Sequence, residues 1–139
     1  MKHNPILRET SHFLIPLILL FALYVQFHGD FGPGGGFQAG VIYATAIILY
    51  ALIHGTATTE KRIRMAVTRT LAALGVLIYG GTGLAGIALG GNFLDYNVLS
   101  HEAQHGQHLG IFLVELGVGI TVASVMITIF YAFTLYRDK

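Results

Sequence analysis

The sequence contains no cysteine, which excludes two kinds of site. Without thiols the chain can build neither a disulfide framework nor a metal site with thiolate ligands. Charge is also scarce, because 11% of the residues are charged, whereas an average soluble domain has about 25%. Hydrophobic residues make up 54% of the 139. This composition predicts a membrane protein rather than a soluble bundle, whose helices would each need a polar face. We expect no cofactor and no nucleic-acid partner.

Four apolar segments account for most of the chain. A membrane-spanning helix needs about 20 mostly apolar residues, and the segments at about 11–28, 37–54, 65–90 and 109–136 meet or nearly meet that length. The fourth segment is longer than a bilayer requires, so we expect it to tilt or to project into water. The predicted fold class is an all-α integral membrane protein, with one membrane domain over 1–139 and four transmembrane helices.

Lysine and arginine are confined to three places. They precede the first predicted span, lie between the second and third spans or at the start of the third, and follow the fourth. The other two loops, at 29–36 and 91–108, have neither residue. Cytoplasmic segments of membrane proteins are enriched in lysine and arginine. We therefore expect both termini and the loop at 55–64 to be cytoplasmic, which agrees with an even number of spans.

The loop between the first two spans contains the sequence GPGGG. A phosphate-binding loop would continue with lysine and then serine or threonine, and this one does not. We interpret the segment as a tight irregular turn that packs against other helices, because irregular backbone at membrane depth must be covered by protein or water. Its structural residues are predicted to be Pro33, Gly34, Gly35 and Gly36. His28 and Asp30 border the turn and either join an ion path or simply occupy the polar interface.

The third predicted span is rich in glycine. Gly86 and Gly90 form a GxxxG pair, a spacing that lets another helix backbone approach closely. The close neighbour is either a helix of a partner protein or another helix of this chain.

The segment HEAQH, residues 101–105, matches the HExxH pattern of zinc proteases. On a helix, His101 and His105 would share one face, His108 could serve as a third ligand, and Glu102 could act as a base. The segment is rich in histidine, however, so the match arises easily by chance, and no peptidase scaffold is evident. We predict neither a metal site nor enzymatic activity, and a membrane metalloprotease is a minor alternative that rests on this motif alone.

Glu115, in the sequence FLVELGVG, is the only acidic residue well inside a predicted span. Placing a carboxylate at the centre of a bilayer costs on the order of 3 kcal/mol or more, so such a residue is a functional candidate by default. Glu115 is predicted either to exchange protons or ions, or to join helices through a buried hydrogen bond.

Two stretches of the sequence resemble one family. FALYVQFHGDFGPGGGFQAGVIYATAIILY resembles the proline–glycine signature of the MnhB (MrpB) family, a membrane component of Mrp-type multisubunit Na⁺/H⁺ antiporters. FLVELGV is similar to the final-helix motif of that family, in which aspartate is usual at the position of Glu115. The resemblance covers nearly the whole chain, and the loop at 90–108 matches least.

The resemblance implies a small accessory subunit of a hetero-oligomer in a bacterial or archaeal inner membrane. Such a complex exchanges cytoplasmic Na⁺ for external H⁺, and the partners of this chain would be the other antiporter subunits and the lipid bilayer. No lysine lies inside a predicted span, unlike in the large subunits of that family, so the chain would contribute at most one protonatable group. The alternative is a self-sufficient four-helix homodimeric exporter that also uses Glu115. Expressed alone, an exporter transports and an Mrp-type subunit does not.

Overall fold

The computed structural model describes residues 5–29, 34–100 and 102–137, and all regular structure within them is helical. The helices are α1 (Pro5–Phe27), α2 (Gly36–His54), α3 (Thr56–Arg62), α4 (Met65–Ala88) and α5 (Ala103–Arg137), with a 3₁₀ helix (Tyr96–Leu99) before α5. Within the described residues, α1, α2, α4 and α5 are long and apolar enough to cross a membrane. The prediction of an all-α chain with four such helices is confirmed.

Several helix limits differ from those expected from hydropathy. Helix α1 already includes Pro5, well before residue 11. Helix α5 begins at Ala103 rather than near residue 109. Hydropathy marks the apolar part of a helix and misses polar turns that continue it. The expected loop at 55–64 contains α3, which is separated from α2 by Gly55 at a φ of +98°.

Helix α5 lies at the centre of the fold. It packs against α2 on one side and α4 on the other, and α1 packs mainly against α2. The long helices therefore form a curved row in the order α1, α2, α5, α4. An apolar groove of about 460 Å³ follows α5 between the two flanks of this row.

The two ends of the row differ in composition. The α1–α2 connection, the 3₁₀ helix and the start of α5 lie at one end, which we call the turn end. Helix α3, Arg62 and Arg64 lie at the opposite end, which we call the basic end.

Hydroxyl groups join α4 to α5 near the basic end. Thr128 Oγ1 lies 2.8 Å from Thr68 Oγ1, and the Thr68 hydroxyl donates to the Met65 carbonyl oxygen at 2.9 Å. One turn further along α5, the fully buried Tyr131 donates its hydroxyl to the carbonyl oxygen of Ile63 at 3.1 Å. These bonds give the α4–α5 interface a fixed register within an apolar surrounding.

Gly86 and Gly90 do not lie on one helix, because α4 ends at Ala88. Gly90 has a φ of +90°, a conformation in which glycine avoids the clash of a side chain. The Gly90 and Gly91 amides donate to the carbonyl oxygens of Ile87 and Gly86, both at 3.0 Å. This pair of bonds is the Schellman arrangement that terminates helices. Gly86 itself faces the following loop, since an added Cβ would lie 3.0 Å from the Asn92 carbonyl oxygen.

Candidate functional site

The glycine-rich connection folds back onto the end of α1. The Gly35 amide donates to the carbonyl oxygen of Val25 at 3.2 Å. Gly35 precedes the first residue of α2 and has a φ of +122°, where a side chain would strain the backbone. A Cβ added to Gly34 would lie 2.9 Å from the same Val25 oxygen. The connection is therefore tight at both of these glycines.

Glu115 of α5 meets this connection directly. A Cβ added to Gly29 would overlap both carboxylate oxygens of Glu115, and one added to Gly35 would lie 3.0 Å from Oε1. A Cβ on Gly36 would overlap the carbonyl oxygen of Glu115. The absence of side chains at Gly29, Gly35 and Gly36 thus allows the backbone of the turn to pack directly against α5. The Glu115 carboxylate lies between Gly29 and Gly35.

The carboxylate of Glu115 also lies at the N-terminus of α2. The first amides of a helix lack intrahelical acceptors and form the positive end of its dipole. Gly35, the residue that precedes α2, provides no side-chain cap. A negative group at such a position is typically stabilised by about 0.3–1 kcal/mol, and by up to about 2 kcal/mol where it is partly buried. Glu115 is half-buried at this helix terminus.

The level of Glu115 along the membrane normal follows from the length of α2. This helix has 19 residues, which corresponds to about 28 Å and is close to the thickness of the hydrocarbon core of a bilayer, about 30 Å. Because Gly36 begins α2 and lies against the backbone of Glu115, Glu115 lies level with one end of an apolar helix of about bilayer length.

Of the other three residues predicted at or beside the turn, the structure describes only His28. His28 is exposed and its ring stacks on Tyr24, with 4.3 Å between ring centroids. Asp30 and Pro33 lie outside the described residues.

Sequence reasoning missed Gln26, Gly29 and Gly119. Gln26 is 8% exposed, and a Cβ added to Gly119 would lie 2.5 Å from its Oε1. Its Nε2 is buried without a hydrogen-bond acceptor among the described residues. The available signal was that Gln26 is the one polar side chain near the end of the apolar run FLIPLILLFALYVQF. The contacts of Gly29 and Gly119 join segments that are distant in the sequence and leave no local pattern.

The 3₁₀ helix fixes the part of α5 that precedes Glu115. A Cβ on Gly110 would overlap the ring of Tyr96, and a Cβ on Gly106 would overlap the Tyr96 carbonyl oxygen. The Gln107 amide donates to Asn97 Oδ1 at 2.9 Å. Burial, with a smaller contribution from Tyr79, raises the pKa of the Tyr96 hydroxyl above its ordinary value.

The HEAQH segment does not form a cluster of possible metal ligands in the part of the chain that the structure describes. His105 Nδ1 lies 3.1 Å from Glu102 Oε2, and both side chains are about three-quarters exposed. His108 is exposed one turn further along α5. No group of three or more histidine, aspartate or glutamate side chains that could hold a metal ion occurs among the described residues. His101 lies outside them.

Comparison with known proteins relates this arrangement to one family. Residues 6–128, which include the glycine turn and Glu115, match the family model described as "Domain related to MnhB subunit of Na+/H+ antiporter". The chain belongs to this family.

Curated relatives match nearly the full length of the MnhB-related chain. It is 32% identical to "Putative antiporter subunit mnhB2" of Staphylococcus haemolyticus, and the match covers 95% of this chain and 96% of the relative. It is 31% identical to a Na(+)/H(+) antiporter subunit of Alkalihalophilus pseudofirmus, over 88% of this chain and 92% of the relative. The predicted resemblance to the MnhB family is confirmed.

Proposed function

We infer that this chain is a membrane subunit of a multisubunit Na⁺/H⁺ antiporter, and we propose that Glu115 is the ion-exchanging carboxylate it contributes. The family match and the four apolar helices support the first statement. The position of the Glu115 carboxylate, between Gly29 and Gly35 at the N-terminus of α2, supports the second statement. The chain acts as a component of a transporter rather than as an enzyme, and its partners are the other subunits of the complex.

The chemistry proposed for Glu115 is alternate neutralisation by H⁺ and Na⁺. The helix terminus stabilises the ionised carboxylate, and either cation neutralises it. One carboxylate is not neutralised by both cations at once, so the departure of one accompanies the arrival of the other. Competition of this kind makes occupancy of the site by the two ions mutually exclusive, which antiport requires. His28 lies beside Gly29 and is proposed to line the approach from water.

The proposed orientation follows from the charges at the basic end. Both termini and α3 are assigned to the cytoplasm of a bacterial or archaeal cell, because lysine and arginine favour that side. The turn end then faces outward, and Glu115 lies near the external surface of the membrane. At this position Glu115 would exchange protons with the external solution. The partner subunits would provide the rest of the ion path across the membrane.

The test replaces Glu115 in the whole complex and measures cation-induced proton movement in inverted vesicles over a range of pH. Glu115→Gln keeps the shape of the side chain and cannot ionise, so antiport should be lost or its pH profile displaced, with normal subunit stoichiometry. Glu115→Asp should retain substantial activity. Glu115→Ala should be the most damaging, because it also leaves polar partners unpaired.

The matched control is Glu102→Gln, which removes an exposed carboxylate just before α5 and should leave antiport unchanged. An unchanged rate and pH profile for Glu115→Gln would assign Glu115 a packing role only. Transport by this chain expressed without other subunits would instead favour a self-sufficient exporter.

A further inference from the structure

Two histidines face each other at the basic end, at the opposite end of α2 from Glu115. His12 lies in α1, and His54 is the last residue of α2. Their Nε2 atoms are 3.3 Å apart, with 5.3 Å between ring centroids and 71° between ring planes. The pair therefore connects the two helices edge to edge through one nitrogen from each ring.

The ring of His54 is held in a defined orientation. Its Nδ1 lies 3.2 Å from the Tyr50 carbonyl oxygen, and the ring stacks on Tyr50 with 4.2 Å between centroids. An Nδ1–H that donates to a backbone carbonyl leaves Nε2 with its lone pair. Most metal-bound histidines in proteins are oriented in the same way, by a hydrogen bond from the ring nitrogen that does not bind the metal. His54 thus presents Nε2 towards His12 in the form that a metal ion binds.

The separation of the two nitrogens suits either a hydrogen bond or a shared metal ion. At 3.3 Å the two Nε2 atoms lie within hydrogen-bonding distance of each other. Two imidazole nitrogens that each lie about 2.0–2.1 Å from a tetrahedral Zn²⁺ are separated by about 3.3–3.4 Å. The spacing of His12 and His54 is therefore also suitable for two ligands of one ion.

We propose that His12 and His54 bind a divalent transition metal ion of the Zn²⁺ class, with water in the remaining coordination positions. Imidazole nitrogens suit Zn²⁺, Cu²⁺ and Ni²⁺, and the position of His54 at the last residue of α2 gives an ion access from the basic end. The ion would tie α1 to α2 at the basic end, and α1 has most of its contacts with α2. The site is independent of the ion exchange proposed for Glu115.

The charged side chains around the pair come from two helices. Arg8 and Glu9 precede His12 by about one turn of α1. Arg62 of α3 places its guanidinium carbon 5.8 Å from the centroid of the Tyr50 ring, on which His54 stacks. Two cations and one carboxylate therefore lie on the segments that carry or adjoin the pair.

The experiment uses the full chain in nanodiscs, purified without a polyhistidine tag, and titrates it with Zn²⁺ at pH 7.5 by calorimetry. We expect one ion per chain with micromolar affinity, and at least tenfold weaker binding in His12→Ala and in His54→Ala. The matched control is the double variant His105→Ala/His108→Ala, which removes two histidines at the turn end and should bind as the wild type does. Binding should also weaken towards pH 5, because the ligand nitrogens must be deprotonated.

A spectroscopic measurement on the unmodified chain tests the site even if a variant fails to fold. Cu²⁺ bound at stoichiometric concentration should show electron paramagnetic resonance couplings from two imidazole nitrogens, and Zn²⁺ should displace it. The proposal is overturned if wild-type affinity persists in both single variants, or if it disappears only in the turn-end double variant. Absence of Zn²⁺ binding to the folded wild-type chain would show that the two rings form only a hydrogen bond.

Discussion

The Glu115 carboxylate occupies the space that a side chain on Gly29 would need. The two residues lie on different segments, and the contact exists only because residue 29 has no Cβ. The position of the carboxylate and the identity of this glycine are therefore linked, and the link can be tested without changing Glu115.

Gly29→Ala should displace the carboxylate and reduce antiport by the whole complex at least tenfold, while the chain is still inserted in the membrane. The control is Gly81→Ala in α4, where an added Cβ meets nothing within 4 Å. Alanine also favours a helix over glycine by about 1 kcal/mol, so this control should be neutral or stabilising. Sodium-induced proton movement and subunit stoichiometry are measured on the same vesicles. Full activity of Gly29→Ala would show that the carboxylate can act from another position.

The hydroxyl contact between Thr68 and Thr128 should contribute measurably to the α4–α5 interface. A double-mutant cycle with Thr68→Val and Thr128→Val, followed by unfolding in mild detergent, should give a coupling energy of about 0.6 kcal/mol, and no more than about 1.7 kcal/mol, as for other hydrogen bonds between membrane helices. Thr70→Val is the control, because the Thr70 hydroxyl bonds within its own helix to Ala66. Strict additivity of the two valine substitutions would contradict the prediction.

Tyr131→Phe should lower the stability of the fold by more than the removal of a single oxygen atom would suggest. Removal of the hydroxyl leaves the Ile63 carbonyl oxygen without this donor, and such a loss costs about 1–3 kcal/mol when the group is buried. The midpoint of thermal unfolding should fall by several degrees, whereas Tyr43→Phe, at a tyrosine that is 41% exposed, should hardly change it. Equal midpoints for the two variants would mean that water replaces the missing donor.

The proposed orientation is tested by labelling single cysteines, which is direct because the chain has none of its own. Thr58 on α3 and Glu102 before α5 are both exposed and lie at opposite ends of the fold. In intact cells an impermeant maleimide should label Glu102→Cys and not Thr58→Cys, and in inverted vesicles the pattern should reverse. Labelling of Thr58→Cys alone from outside the cell would reverse the orientation of the whole chain.

Hydropathy was sufficient to predict the four long helices, because each crosses an apolar layer and has to be apolar over its length. It was not sufficient for the polar turns at the start of α1 and α5, or for the short helix α3. Gly86 and Gly90 show the limit of a spacing rule. The spacing predicts a shared face only while the helix continues, and here Gly90 ends it.

The candidate site was predictable in its parts and not as a whole. Glu115 was evident as a carboxylate within an apolar run, and GPGGG was evident as a turn. Nothing in the local sequence indicates that they meet, because their contact depends on the packing of α2 against α5. The role of Gly29 follows only from that packing, and the 3.3 Å separation of His12 and His54 likewise follows only from the packing of α1 against α2.

The central position of α5 has a consequence for biosynthesis. Helix α5 is the last of the long helices to leave the ribosome, yet α2 and α4 both pack against it. Until it is inserted, α1 and α2 can pair, while α4 lacks its main neighbour and exposes the glycine and hydroxyl groups that later meet α5. The α2–α5 and α4–α5 interfaces can therefore form only after α5 has been synthesised.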